Sequence, residues 1–188
     1  KTDDHDLEAI FHAALKGYGL APPPVGEAYE PLQAASRHRH NLVKQRSRLM
    51  VQIRRLLHQT MPGYADLFED DKLFHKSIAL AVAERFISPE AIRSAGAAGV
   101  ARYLTDAKTR FQARSLDRIV AWASAAAEPA ELAATYTRQW RQLDAIRRMY
   151  DEQIATTERE MAGFLVKTPY VLLLSVTGIN VVSAARLA

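Results

Sequence analysis

The sequence predicts an all-α chain: a long antiparallel coiled-coil pair with a compact helical tip. Three observations carry this expectation. Between Glu131 and Val166, the residues Tyr136, Trp140, Leu143, Tyr150, Ile154, Met161 and Phe164 recur in alternating steps of four and three, with Arg147 and Thr157 filling the gaps. That spacing belongs to a helix burying one narrow seam against another helix. Between Glu30 and Met61, Leu32, Ala35, Leu42, Val43, Leu49, Met50, Ile53, Leu56 and Leu57 form a second seam of the same kind. The stretch joining the two, 63–129, breaks into short helical patterns punctuated by Gly and Pro.

In chain order, Thr2 to Lys16 reads as a helix, with Asp3, Asp4 and Asp6 crowding its first turn and Leu7, Ile10, Phe11, Ala14 and Leu15 on one face. Carboxylates are stabilised near a helix N-terminus by the unsatisfied amides there. Tyr18 to Tyr29, with Pro22, Pro23 and Pro24, reads as a stiff extended connection. The first long helix runs from Glu30 to Met61 and is closed by Pro62-Gly63. Lys72 to Phe86 is the first short helix of the tip. Ser88-Pro89 then supplies an N-cap and a proline at the first helical position for a helix to Ala95. Gly96 and Gly99 separate it from Val100 to Asp106, and Phe111 to Ala127 completes the tip. The second long helix, 131–166, would be about 54 Å long at a rise of 1.5 Å per residue. Thr168-Pro169 opens a short apolar helix, Tyr170 to Val176. A tight turn, Thr177-Gly178-Ile179-Asn180, then leads into a further helix from Val181. Gly178 and Asn180 are residue types that tolerate the positive φ such a hairpin requires.

Bulk properties narrow the function classes. The chain has 188 residues, 48% of them apolar, with 25 Lys and Arg against 21 Asp and Glu and a pI near 9.4. The excess of four positive charges permits an anionic partner without demanding one. With no cysteine, disulfides and thiolate metal sites are excluded, in agreement with a reducing cytoplasm. The longest apolar run, Tyr170 to Val176, is far too short to span a bilayer, so no membrane partner is expected. The chain begins at Lys1 without methionine and stops at Ala188 inside an apolar-periodic segment, which reads as an internal piece of something longer.

The charge is distributed unevenly. Seven Lys and Arg and no acid lie between residues 31 and 61. At 100° per residue, Arg37, Lys44, Arg48 and Arg55 fall within about 40° of one another, opposite the seam. That outward basic stripe suits contact with a phosphate backbone, the plain alternative being a solvated coiled-coil face. Arg39 and Arg46 fall on the seam itself, where an unpaired charge is costly. On the second long helix Asp144, Asp151 and Glu158 recur every seven residues beside the seam. An antiparallel pair would set Arg46 near Asp151 or Tyr150 and Arg39 near Glu158 or Thr157.

Asp3 and Asp6, three apart on one helical turn, point the same way and could share a hard cation; spacing alone favours the plainer reading, with Asp3 as an N-cap and the other carboxylates as dipole partners. His5 and His12 share a face but lack a third ligand in reach. Ser175 and Ser183 have no His or Lys base in local register. The turn Thr177 to Asn180 resembles a helix-hairpin-helix turn, whose amides can hold a phosphate, with a plain turn as the alternative.

Three stretches together resemble one family. Lys1-Thr2-Asp3-Asp4-His5-Asp6-Leu7-Glu8-Ala9-Ile10 resembles the last acidic motif of the DEDD-type insertion-sequence transposases of the "IS one-ten" family, described as bridge-RNA-guided recombinases. Arg37 to Met61, running into Pro62-Gly63, resembles the basic helix after that motif. Leu172 to Ala184 resembles the opening of the family's transposase domain, with Thr177-Gly178-Ile179-Asn180 standing where the family usually has Pro-Gly-Ile-Gly. The resemblance implies that residues 1–29 are the end of a RuvC-like domain plus its Pro-rich connection. Residues 30–166 would then be the coiled-coil domain and 167–188 the start of a helix-hairpin-helix-like transposase domain. It further implies that Asp3 and Asp6 are catalytic carboxylates that bind Mg²⁺, with two more carboxylates upstream and a serine nucleophile downstream. The piece itself would be inactive. It would supply homo-oligomeric association through the coiled coil and contacts to DNA and guide RNA through Arg37, Lys44, Arg48, Arg55, Gly178 and Asn180. The alternative is a non-catalytic, dimeric coiled-coil module that binds nucleic acid.

Overall fold

The structure is a computed structural model that describes residues 26–68, 72–127, 129 and 131–188. Every regular element among the described residues is helical. The expected helix over Thr2 to Lys16, most of the Pro-rich connection, and Asp3 and Asp6 lie outside the described residues. Two compact units are formed, one by residues up to His40 together with Ala155–Ala188, the other by Asn41–Ile154.

Two long helices contribute to both units: α1 (Tyr29–Thr60) and, much later in the chain, the helix Ala133–Leu165. Between them lie α2 (Lys72–His75), α3 (Ser77–Arg85), α4 (Pro89–Asp106) and α5 (Ala113–Ala125), so the second long helix is α6. A 3₁₀ segment (Pro169–Ser175) and α7 (Val181–Leu187) end the chain.

In the first unit, Leu32 of α1 is buried with Met161 and Leu165 of α6 and Ala184 and Ala185 of α7. Further along α1, Arg39 Nε donates to Glu158 Oε1 at 2.7 Å. Rising numbers on α1 therefore meet falling numbers on α6, which makes the pair antiparallel here. The second unit repeats the relation: Arg46 Nη1 donates to Asp151 Oδ1 at 3.0 Å, while Ile53 and Leu57 share a core with Trp140. Both ion pairs are among those the seam spacing leads one to expect. Their value lies in register more than in stability, because each partner keeps between 24% and 40% of its side-chain surface in water.

The second unit holds the larger core. Ile53, Leu57, Met61, Tyr64, Leu73, Val82, Ile92, Leu104, Ile119 and Trp140 are all essentially excluded from solvent, each worth about 1.5–3 kcal/mol as a buried side chain. The chain leaves α1 through Gly63, whose φ of 76° is open to glycine and costly for other residues. Trp122 Nε1 of α5 donates to Pro62 O at 2.9 Å. Tyr64 meets the Trp122 and Phe68 rings edge-on and donates its hydroxyl to Ala79 O at 2.7 Å. These contacts clamp α5 and α3 onto the exit from α1.

Several short elements differ from their expected bounds, each for a local reason. The single helix expected over Lys72 to Phe86 is two, because Lys76 adopts an extended conformation (φ −90°, ψ 115°). The break expected at Gly96 is present (φ 62°, ψ 176°) and divides the run α4 into a helix that opens at Pro89 and one that ends at Asp106, but Gly99 lies inside the second of these. Ser88 caps that run as expected, its hydroxyl accepting from Ala91 N at 3.2 Å. The expected apolar helix over Tyr170 to Val176 is a 3₁₀ segment with no buried residue, and Leu172 is 73% exposed.

Candidate nucleic-acid interface

The outward side of α1 is a consequence of how its seam is filled. Leu42, Ile53 and Leu57 are buried, and Arg39 and Arg46, the two cations on the seam, are neutralised by Glu158 and Asp151. Of the remaining Lys and Arg of α1, Arg54 is half-buried and the others face water. Lys44, Arg48 and Arg55 in the second unit are exposed, and Arg37 is exposed in the first. None of the four has an ion pair among the described residues. On the second unit's stretch of α1, Asn41, Gln45, Val51, Gln52, His58 and Gln59 are exposed as well. The face therefore carries positive charge diluted only by neutral residues. A guanidinium without a protein partner remains free to donate to phosphate oxygens, with no internal pair to break first.

The helix bearing that face is anchored by a buried charge network. Asp144 of α6 is 1% exposed and accepts from Arg147 Nε at 2.6 Å and from Arg148 Nε at 2.8 Å. Arg147, itself buried, also donates to Asp151 Oδ2 at 2.5 Å and lies 5.4 Å from the Phe74 ring centroid. Asp151 thus joins Arg147 of its own helix to Arg46 of α1. Arg148 reaches Glu84 of α3 at its other end. Partial burial works to lower the Arg148 pKa, but the nearby Asp144 and Glu84 charges outweigh it and hold the guanidinium above its ordinary value. Burial pushes the Tyr64 phenol far above its usual range, so it is a neutral donor at any physiological pH.

The turn before α7 has a geometry of its own. Gly178 takes the positive φ expected of it, 91°. Asn180 does not. Its φ is −108°, and its side chain accepts from Ser183 N at 2.9 Å, capping α7. The cap engages only Oδ1, and the Nδ2 amide, the group that would donate to a phosphate, takes no part in it. Beside it an open groove of about 630 Å³ is lined by Arg39, Glu158, Arg159, Asn180 and Ser183 among others. Among the described residues no group of three or more His, Cys, Asp or Glu could hold a metal ion, and no helix is long and apolar enough to cross a membrane.

A second set of cations escaped the sequence reading. Lys76, between α2 and α3, lines one cleft with Arg118 of α5; Arg110 of the α4–α5 connection is tied to Ser77 through its backbone carbonyl, and Arg114 precedes Arg118 by one turn. The available signal was the step of four from Arg110 to Arg114 to Arg118, with Arg114 in the first turn of a helix, where a cation opposes the dipole.

No protein-family model matches the chain, and no curated protein or solved structure gives a significant match.

Proposed function

We propose that this chain grips the phosphate backbone of RNA or DNA with the outward face of α1. The observation that carries the reading is the exposure of Lys44, Arg48 and Arg55 on an acid-free helix face, without ion pairs among the described residues. A solvated coiled-coil face normally mixes signs, and i, i+4 cations such as Lys44 and Arg48 repel one another slightly. Their retention on one face suits an external polyanion. The test is binding of labelled RNA and duplex DNA to the chain and to its Lys44→Gln/Arg48→Gln/Arg55→Gln variant. Weakened binding at unchanged melting temperature is expected, because these side chains make no contact that the fold needs. Equal binding by both proteins would return the face to being merely solvated.

We further propose, on the resemblance described above, that the chain is the middle of a DNA transposase of the "IS one-ten" type. Residues 1–29 would end its RuvC-like domain, 30–166 form its coiled-coil domain and 167–188 open its transposase domain. Asp3 and Asp6 would belong to the Mg²⁺-binding carboxylates of the whole protein. The seam register supports the coiled-coil part of this reading. Self-association would draw on the outward face of α6. There Gln139, Gln142, Ile146, Met149 and Gln153 recur in steps of three and four, exposed and uncharged. A two-fold antiparallel copy would pair Ile146 with Met149 and Gln142 with Gln153 reciprocally. The non-catalytic dimeric module would use the same two faces. Asp6→Asn in the full-length protein separates the readings, since a neutral amide is a poor Mg²⁺ ligand yet caps a helix about as well as Asp.

A further inference from the structure

We infer that the edge formed by Lys76, Arg110, Arg114 and Arg118 is a second contact surface for the same nucleic acid's phosphodiester backbone. The inference rests on the nucleic-acid reading of α1. Lys76 and Arg118 line one cleft, while Arg110 is tied to it through its backbone and Arg114 through its place on α5. Ser77 Oγ donates to Arg110 O at 3.1 Å, which ties the start of α3 to the α4–α5 connection. Lys76, Ser115 and Arg118 line one cleft with Phe68 and Ile119. Arg118 is held there by donating to Leu67 O. Arg114 precedes it by four residues on the same face of α5.

All four side chains are exposed. Asp106 and Asp117 lie close to Arg110, Arg114 and Arg118 along the chain, yet neither forms an ion pair with them among the described residues. Stability does not account for the arrangement. Arg114 sits in the first turn of α5, where a cation opposes the helix dipole, and it repels Arg118 one turn on. Three of the four are arginines, whose planar guanidinium matches phosphate oxygens bidentately where lysine offers a point charge. Arg118 is fixed by its carbonyl acceptor without being neutralised, so it meets a phosphate with little ordering left to do.

The experiment compares three proteins: the chain itself, its Lys76→Gln/Arg110→Gln/Arg114→Gln variant, and the α1 variant Lys44→Gln/Arg48→Gln/Arg55→Gln. Arg118 is kept because Leu67 O depends on it. The probes are a fluorescein-labelled 30-nucleotide RNA, a 30-base-pair duplex DNA, and phosphatidylserine-containing vesicles. Each cation seated on a phosphate contributes a salt slope of about 0.9 on duplex DNA, so neutralising one weakens binding roughly eightfold at 0.1 M salt. Neutralising three should weaken duplex binding by a factor on the order of 500, with the melting temperature unchanged. Arg110→Lys/Arg114→Lys, which keeps the charge, should retain most of the affinity. Should the triple variant fail to fold, Arg114→Glu alone carries the test, since that side chain has no hydrogen-bond or ion-pair partner among the described residues.

If the α1 variant loses binding while the Lys76/Arg110/Arg114 variant does not, this surface is no nucleic-acid contact and the reading of α1 stands. If neither variant loses binding, both readings fall. Loss of vesicle binding alone would assign the surface to lipid headgroups and overturn the inference.

Discussion

Replacing Asp144 with alanine probes the charge network inside the second unit. Its carboxylate is 1% exposed and accepts from two guanidiniums. The pair with Arg147 is the costly one to break: Arg147 is buried, and without Asp144 its charge is left only Asp151, which Arg46 also uses. Removing one partner of a buried ion pair costs about 3–5 kcal/mol, because the other charge stays buried and under-compensated. The Arg148 pair adds less than about 1 kcal/mol, since that guanidinium is half in water and keeps Glu84. The expected loss is therefore about 3–5 kcal/mol, or a fall in melting temperature on the order of 12–20 °C for a unit of this size. Urea unfolding followed by circular dichroism reads it directly. The double variant Asp144→Leu/Arg147→Met should recover to within about 1.5 kcal/mol of the parent, because both charges are then gone and Asp151 keeps Arg46. A loss below about 1 kcal/mol for Asp144→Ala would mean that water reaches this network, and the argument from burial would be wrong.

Other perturbations follow from the same geometry. Exchanging charges in Arg39→Glu/Glu158→Arg should restore most of the roughly 0.3–1 kcal/mol that either single change costs; a double variant no better than the worse single one would deny the register. Gly96→Ala should destabilise by about 1–3 kcal/mol although open space surrounds the new methyl, because φ 62°, ψ 176° is a region that only glycine occupies readily; an unchanged urea midpoint would refute the kink. Tyr64→Phe should cost about 1–3 kcal/mol at neutral pH by leaving Ala79 O without its donor. The folded-state pKa of Tyr64 is raised, so its contribution is complete below the unfolded value near 10 and is lost as pH rises above it. The phenylalanine variant should accordingly lose less stability than the parent between about pH 10 and 12, and parallel alkaline unfolding curves would contradict this. Ile146→Glu should shift self-association toward monomer by light scattering, with secondary structure unchanged.

How far the sequence revealed the fold depended on the range of each interaction. The two seams and the pairs Arg39–Glu158 and Arg46–Asp151 follow from helical periodicity plus one topological choice, so they were legible. The role of Asp144 was only half legible. Its place beside the seam was visible, but the seam spacing gave no sign that Arg147 and Arg148 of its own helix would claim it. Trp122 reaching Pro62 O across the second unit, and Tyr64 reaching Ala79 O, are tertiary contacts with no periodic signature. Asn180 illustrates a local ambiguity: asparagine suits both a left-handed turn and an N-cap, and the amide of Ser183 decided for the cap. The α1 stripe was readable because one helix carries all of it. The cleft shared by Lys76 and Arg118 was not, because its two sides meet only after separate elements pack.

The claim that α1 holds a phosphate backbone is tested most directly by the salt dependence of binding to duplex DNA. Plotted as log of the association constant against log of salt concentration, the chain should give a steep negative slope. The Lys44→Gln/Arg48→Gln/Arg55→Gln variant should give a slope shallower by about 2.7, close to 0.9 for each cation neutralised. Parallel lines for the two proteins would contradict the account, showing that those three exposed cations touch no phosphate.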